Sequence, residues 1–271
     1  MRRIAHLSDI HFGKIAHPGI VDAIVEDVNR EPFDLVAVSG DLTQRARPHE
    51  YTAARAMLDR FEAPMLVVPG NHDVRAWWHH PVHRVFRPAL RFQSFITDDL
   101  TPSVAMDGLA VFGLNSAHGL TIKGGLIRPG HLGAMVDFFA SQPTEAFRVL
   151  VLHHHLLRLD ALGRHDVARG ARAALAAVED SGVDLVLCGH LHRSHVAEIR
   201  LGSTPDAASV HRLVIASAGT ATSSRGRAEN AAANLYNWIE VGPERFTVEE
   251  RRFVPERNVF EPDRTTAFRR T

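Results

Sequence analysis

Five short apolar runs in this chain each stop at a cluster of Asp, Asn or His, and that repeated ending limits what the chain can fold into. Residues 4–8 lead into Asp9 and His11, and residues 35–39 into Gly40 and Asp41. Residues 66–68 lead through Pro69 and Gly70 into Asn71, His72 and Asp73. Residues 149–152 lead into His153, His154 and His155, and residues 185–188 into Gly189, His190 and His192. A short apolar run closed by a turn signal reads as a buried strand breaking into a loop. Loops after strand ends are where α/β proteins put their working residues. The five loops are therefore expected to meet at one point.

The segments between the runs fit that plan. Strands are expected over 3–8, 33–39 and 64–68, with helices over 19–30 and from Pro48 to about Arg60 between them. That order predicts a parallel sheet with crossover helices. A helix over 82–96, a hairpin of strands 103–106 and 109–114 around Asp107-Gly108, and a helix over 130–140 follow. Strand 147–152, helix 166–180 and strand 183–188 come next. The helical alternation then stops, and 194–201, 211–216, 234–241 and 245–253 read as strands suited to antiparallel pairing. Residues 217–233 are small and polar and predict a mobile loop. There is no internal repeat or linker, so one domain is expected over 1–253, with 254–271 as a C-terminal tail or edge segment.

Composition narrows the partners. Lys plus Arg and Asp plus Glu both number 31 in 271 residues, and zero net charge argues against nucleic acid as a partner. No run approaches the roughly 18 apolar residues of a membrane span, and too few apolar residues precede Asp9 for a signal-peptide core. The single cysteine, Cys188, precludes an intramolecular disulfide and suits a cytoplasmic location. The 18 histidines point instead to transition metals, for which imidazole is a common ligand.

Asp9 and His11 stand two apart, as do His190 and His192, and in extended chain such residues face one side. Asp41 offers two carboxylate oxygens able to bridge ions, Asn71 a neutral carbonyl oxygen, and His153 an imidazole nitrogen. A nitrogen and oxygen set without thiolate suits Mn, Fe or Zn. Seven candidates exceed one tetrahedral ion and suit two ions sharing a bridge, about 3.5–4 Å apart, as in phosphoryl displacement. Taken singly, each piece has a plain alternative: a solvated Asp-x-His pair, a Gly-Asp turn or helix cap, or Asn and Asp as turn residues. The conjunction of five such pieces at strand ends carries the argument.

The ordered set Asp9-x-His11, Gly40-Asp41, Gly70-Asn71-His72-Asp73, His153-His154 and Gly189-His190-x-His192 resembles the calcineurin-like metallophosphoesterases, from about residue 3 to 192 and more weakly to 253. Within them the chain looks most like small bacterial phosphodiesterases of the cyclic-nucleotide and glycerophosphodiester type, which Gly124-Gly125-Leu126 also suggests. The resemblance implies a four-layer αββα sandwich of two mixed sheets flanked by helices. It implies one ion on Asp9, His11, Asp41 and His192, and a second on Asp41, Asn71, His153 and His190. His153 takes the family's ligand position as the first histidine after the strand; Leu156, where many relatives carry proline, leaves His154 as the alternative. By the same resemblance a metal-bound hydroxide attacks phosphorus in line, and His72 contacts the phosphate or protonates the leaving oxygen. Asp73 is expected to orient His72, or else to cap a helix.

Other residues carry weaker expectations. Trp77, Trp78, His79, His80 and His83 are read as pocket walls or as partly buried residues of a helix start. Arg225 and Arg227 reach a phosphate or lie in solvent, Cys188 fills a core position, and His154 and His155 support the centre or pack. The expected function is hydrolysis of a small phosphodiester. A phosphomonoesterase, a nuclease and a metal-binding scaffold without turnover are the alternatives. The hairpin at 103–114 and the late strands offer edges for an oligomer.

Overall fold

The computed structural model describes residues 1–75, 81–120, 123–202, 211–226 and 233–270. Trp77, Trp78, His79, His80 and Arg227 lie outside these described residues. The first sheet holds β1 (Arg2–Leu7), β2 (Leu35–Val38), β3 (Met65–Val67), β10 (Leu235–Val241), β11 (Arg245–Val254) and β12 (Val259–Arg269). The second holds β4 (Ser103–Met106), β5 (Leu109–Gly113), β6 (Phe147–Val151), β7 (Leu185–Cys188), β8 (His195–Leu201) and β9 (His211–Ser217). Their orders are β12-β11-β10-β1-β2-β3 and β4-β5-β6-β7-β9-β8. Both are mixed: β1, β2 and β3 are parallel neighbours, as are β5, β6, β7 and β9, while β1–β10, β10–β11, β11–β12, β4–β5 and β8–β9 pair antiparallel.

The two sheets pack face to face. Ile4, Leu35, Ala37, Leu66 and Val68 meet Val111, Phe147, Val149, Val151 and Leu187 in one buried layer. Helices α1 (Ile20–Asn29) and α2 (Pro48–Leu58) cover the outer face of the first sheet through Ile20, Ile24, Val28, Tyr51 and Met57. Helices α5 (Pro129–Ala140) and α6 (Ala171–Asp180) cover the second through Met135, Phe139, Ala174 and Val178. This is the expected four-layer sandwich. It also explains the unbroken apolar runs, because a strand covered on both faces has no polar side to alternate with.

Several expectations need correction. The helix expected over 82–96 is two helices, α3 (Pro81–Phe86) and α4 (Leu90–Phe95). Pro88 lies between them, lacks an N–H and disfavours helical backbone in the residue before it. Helix α6 starts at Ala171 rather than 166, because Gly170 enters it in the left-handed region at φ 84°. The late strands are not simply antiparallel: β9 lies parallel to β7, and β10 crosses to the first sheet beside β1. Residues 259–269 form the edge strand β12, whose Pro262 opposes Arg251 where the register shifts. Proline is tolerated at such an edge. No described helix is long and apolar enough to cross a membrane.

Candidate metal centre

All five loops converge. The first two run on beside each other past their strands, through Asp9 N to Gly40 O at 3.1 Å, His11 N to Asp41 O at 2.9 Å and Phe12 N to Leu42 O at 2.9 Å. Asp9, His11, Asp41, His190 and His192 all lie in the left-handed region, with φ of 53°, 51°, 56°, 74° and 56°. Asp9 with His11, and His190 with His192, therefore do not share a side by the pleat of an extended chain. Two left-handed turns with a buried or half-buried residue between them bring each pair to the centre. Such backbone costs an L-residue roughly 1–2 kcal/mol, so the surrounding structure must hold it. Two glycines are part of that hold: a Cβ at Gly70 would overlap Asp41 Oδ1, and one at Gly189 would overlap Ser8 Oγ.

The side chains form two clusters with a shared oxygen. In the first, Asp9 Oδ1 lies 3.5 Å from His11 Nε2 and 3.6 Å from His192 Nε2. Asp41 Oδ2 lies 3.5 Å from His11 Nε2 and 3.4 Å from His153 Nε2, so it belongs to both. In the second, Asn71 Oδ1 lies 3.1 Å from His153 Nε2 and 2.9 Å from His190 Nδ1. The other oxygens anchor the carboxylates: Asp9 Oδ2 accepts from Ser8 Oγ and His190 N, and Asp41 Oδ1 accepts from His72 N.

The tautomers follow from the partners. His11 Nδ1 lies 3.1 Å from Thr43 O, and His153 Nδ1 lies 2.7 Å from Ser39 O. A carbonyl can only accept, so both rings carry a proton on Nδ1 and leave Nε2 for the centre. This is the arrangement of metal-ligating histidine held by a backbone carbonyl. Asp9 Oδ1 and His11 Nε2 are buried without a hydrogen-bond partner among the described residues. Two ligand atoms about 2.1 Å from one ion at a tetrahedral angle stand about 3.4 Å apart, and the contacts of 3.4–3.6 Å match that spacing. The donor set fits metal binding.

The electrostatics agree. Burial works against ionisation of Asp9 and Asp41, yet His192, His11 and His153 hold the Asp9 carboxyl below the usual range, and His153, His72 and His11 do the same for Asp41. Burial alone would lower His153, but Asp41 and then Asp9 more than offset it and push the ring up to about 9, so without an ion its Nε2 carries a proton at neutral pH, and a cation held there would take that proton's place. Burial, then His153, takes His190 down to about 3, and burial takes His192 down to about 4. The centre holds paired anions and imidazole lone pairs, and its electrostatic complement is positive charge.

The structure brings His72 to the rim, edge-on to His11 with ring centroids 4.8 Å apart. Its Nδ1 donates to Gln44 O at 2.7 Å, which bares Nε2, and burial lowers its pKa. Asp73 does not orient this ring. Its carboxylate accepts from Leu42 N, Thr43 N, Thr43 Oγ1 and Gly70 N at 3.0–3.2 Å, tying the third loop to the second. Nor does it cap an α-helix, since Asn71–Asp73 is a single 3-10 turn. Burial and the nearby Asp41 raise its pKa to about 6. His154 Nδ1 lies 2.9 Å from Ser116 Oγ, and a ring nitrogen of His154 lies within 4.8 Å of one from each of His153 and His190, so it shares the candidate metal-holding group of those two rings. His155 packs on Cys188 Sγ at 3.7 Å, and burial pushes that thiol up to about 12. His83 sits on α3 with Nδ1 3.1 Å from an Arg75 guanidinium nitrogen.

The largest correction falls on the first part of the loop expected over 217–233, of which 227–232 lie outside the described residues. Ser217, Ala218, Thr220, Ala221, Thr222 and Ser223 are buried. Thr220 Oγ1 donates to Asp9 O at 2.7 Å, Thr222 Oγ1 to Ile10 O at 2.8 Å, and Ala221 N to Ser8 O at 2.9 Å. This segment braces the left-handed turn of Asp9. Just beyond it, half-buried Arg225 donates to Gln44 Oε1 at 3.1 Å, on the residue that also orients His72. Ser39, Thr43, Gln44, Ser116 and Thr220 went unnoticed in the sequence, because most of them act through backbone carbonyls or single hydroxyls. Only the position of Ser39 and Thr43 beside Asp41 could have drawn attention to them.

Comparison with known proteins gives the family. Residues 2–194 match the family model of the calcineurin-like phosphoesterases. The chain is 30% identical over 213 residues to the glycerophosphodiester phosphodiesterase GpdQ of Enterobacter lignolyticus, covering 73% of each chain. It is 23% identical over 171 residues to the 3',5'-cyclic adenosine monophosphate phosphodiesterase CpdA of Haemophilus influenzae, covering 62% of this chain and 58% of that one. Its fold is similar to that of a dimetal phosphatase from Danio rerio, with a TM-score of 0.68 at 11% identity over 100% of this chain and 99% of the other. With the matched span holding every residue of both clusters, the chain belongs to the calcineurin-like phosphoesterase family.

Proposed function

We propose that this protein hydrolyses small phosphodiesters by in-line displacement at a binuclear centre. Asp9, His11, Asp41 and His192 would hold one ion, and Asp41, Asn71, His153 and His190 the other. The observation that carries the reading is Asp41 Oδ2, within 3.5 Å of His11 Nε2 and 3.4 Å of His153 Nε2. One carboxylate oxygen common to two clusters is what a bridging ligand requires. Bound ions of the Mn, Fe or Zn type supply Lewis acidity, making water nucleophilic near neutral pH and neutralising charge on the phosphoryl oxygens.

The protein's own groups do the rest. Asp9 and Asp41 keep their carboxylates ionised, and the Thr43 and Ser39 carbonyls hold the His11 and His153 rings in aim. His72 takes up or hands over a proton at Nε2, the atom bared by its bond to Gln44. Asp73 keeps the loops of Asp41 and Asn71 in register. The catalytic domain would span 1–253 with 254–271 as its edge, and the buried thiol Cys188 suits a cytoplasmic setting. The relatives named for glycerophosphodiester and cyclic-nucleotide hydrolysis favour a small diester over a monoester.

The test compares initial rates of Mn-loaded protein on bis(p-nitrophenyl) phosphate and p-nitrophenyl phosphate. Preference for the diester supports the reading, and preference for the monoester replaces it with a phosphatase. His72→Ala should keep its metal content and lose about a hundredfold or more in turnover, the usual scale of general acid–base catalysis. Unchanged turnover in that variant would remove His72 from the chemistry.

A further inference from the structure

The histidines at the centre differ in which ring nitrogen keeps the proton. Nδ1 of His11, His72 and His153 meets the carbonyl of Thr43, Gln44 and Ser39 respectively, so each keeps a proton on Nδ1 and leaves Nε2 for other partners. His154 meets a hydroxyl instead. Ser116 Oγ accepts the backbone N–H of His154 at 3.3 Å and stands 2.9 Å from His154 Nδ1. Ser116 is fully buried, and Nδ1 is the acceptor open to its hydroxyl proton among the described residues. The hydroxyl therefore donates to Nδ1, and the proton of the neutral His154 ring sits on Nε2.

That N–H has no partner among the described residues, and His154 is 1% exposed. Gly125 backs the ring so closely that a Cβ there would meet Cγ at 2.6 Å and Nδ1 at 2.8 Å, so the ring has no room to turn away. The ring centroid lies 4.6 Å from that of His190 and 4.8 Å from that of His153. One nitrogen from each of the three rings falls within 4.8 Å of the others. A protonated Nε2 cannot ligate a metal, but it can donate. A buried donor without an acceptor is costly, and native structures keep few of them without a reason.

We propose that His154 is a further catalytic residue, whose Nε2–H donates to an oxygen of the phosphoryl group bound beside His153 and His190. Ser116 and Gly125 are the positioning residues that fix its tautomer and its plane. The inference rests on the binuclear phosphoesterase reading and adds a donor to a centre whose other assigned histidines offer lone pairs.

The test measures binding of inorganic phosphate to the Mn-loaded protein by calorimetry, with metal content read on the same samples. His154→Phe should retain two ions per chain and bind phosphate about tenfold or more weakly, the scale of one charge-assisted hydrogen bond. His154→Gln, with an amide N–H near the lost Nε2–H, should recover most of the affinity. Unchanged phosphate affinity in His154→Phe overturns the proposal, and so does loss of an ion, which would make His154 a ligand. Wild-type protein that takes up two ions but no phosphate overturns it too. If His154→Phe does not fold, Ser116→Ala decides: weaker phosphate binding at full metal content supports the donor, and unchanged binding removes it. Wild-type protein lacking two ions or phosphoester turnover would instead sink the underlying reading, and this inference with it.

Discussion

Two places in this molecule bury an aspartate almost completely, and they treat it in opposite ways. Asp27 on α1 is 2% exposed and its lone pairs are taken. Tyr236 donates to Oδ2 at 2.5 Å and Arg251 Nε at 2.8 Å, while a second Arg251 nitrogen and Arg30 reach Oδ1 at 3.1 and 3.2 Å. Arg251 also donates to Glu249 and to Phe260 O and lies over Trp238, so the network pins α1 to the outer strands. Asp9 is fully buried, yet its Oδ1 has no hydrogen-bond partner among the described residues and its backbone is left-handed. At Asp27 the chain supplies its own cation. At Asp9 and Asp41 it supplies half-buried and buried imidazoles, bare lone pairs and strain, an arrangement that external cations complete. Burial of charge therefore says little about function until its partners are counted.

The comparison can be broken in order of effect. Asp41→Asn removes charge from the shared oxygen and should cost about a thousandfold in turnover, close to 4 kcal/mol of barrier, with metal content falling on the same samples. Near-normal turnover would mean that the shared oxygen bridges nothing. Asp27→Asn should lower unfolding free energy by about 3 kcal/mol, the scale for breaking one side of a buried pair. Its metal content and its turnover per folded molecule should stay unchanged in denaturant titration and rate assays, and a loss of metal would show that the two regions are not independent.

Chelation should act only on the open site. At a free ion concentration a hundredfold above Kd, bound metal adds about 2.7 kcal/mol of stability. EDTA should lower the melting temperature of wild type and of Asp27→Asn alike, and leave Asp41→Asn less affected. Equal shifts in all three would contradict that. The smallest effect is expected from Thr220→Val, which deletes the donor to Asp9 O. It should cost about 1 kcal/mol and weaken metal binding more than an equally destabilising change elsewhere. A purely global loss of stability would reduce Thr220 to ordinary packing.

The sequence was informative where chemistry is local. Apolar runs located the strands, and the residue types at their ends named the groups that meet. It was silent where tertiary structure overrides local preference. Nothing in Asp9-Ile10-His11 announces left-handed backbone; the ladder to Gly40 and Asp41 and the brace from Thr220 impose it. Residues 217–233 read as a mobile loop because small polar side chains are common in loops. Here those hydroxyls are buried and satisfy carbonyls more than 200 residues away in the chain. Pro88 was a readable helix breaker, and the expected helix over 82–96 overran it. The place of Asp73 was out of reach for another reason: its partners are backbone N–H groups of a different loop, which no side-chain pattern encodes.

In the proposed centre, Asp41 is shared between two ion sites. Equilibrium dialysis of wild type and Asp41→Asn against Mn, with metal counted per chain by mass spectrometry, tests it most directly. The account predicts two ions per wild-type chain and one or none in the variant, with the loss paralleled in diester hydrolysis. A single ion in wild type, or two ions retained by Asp41→Asn, would contradict it.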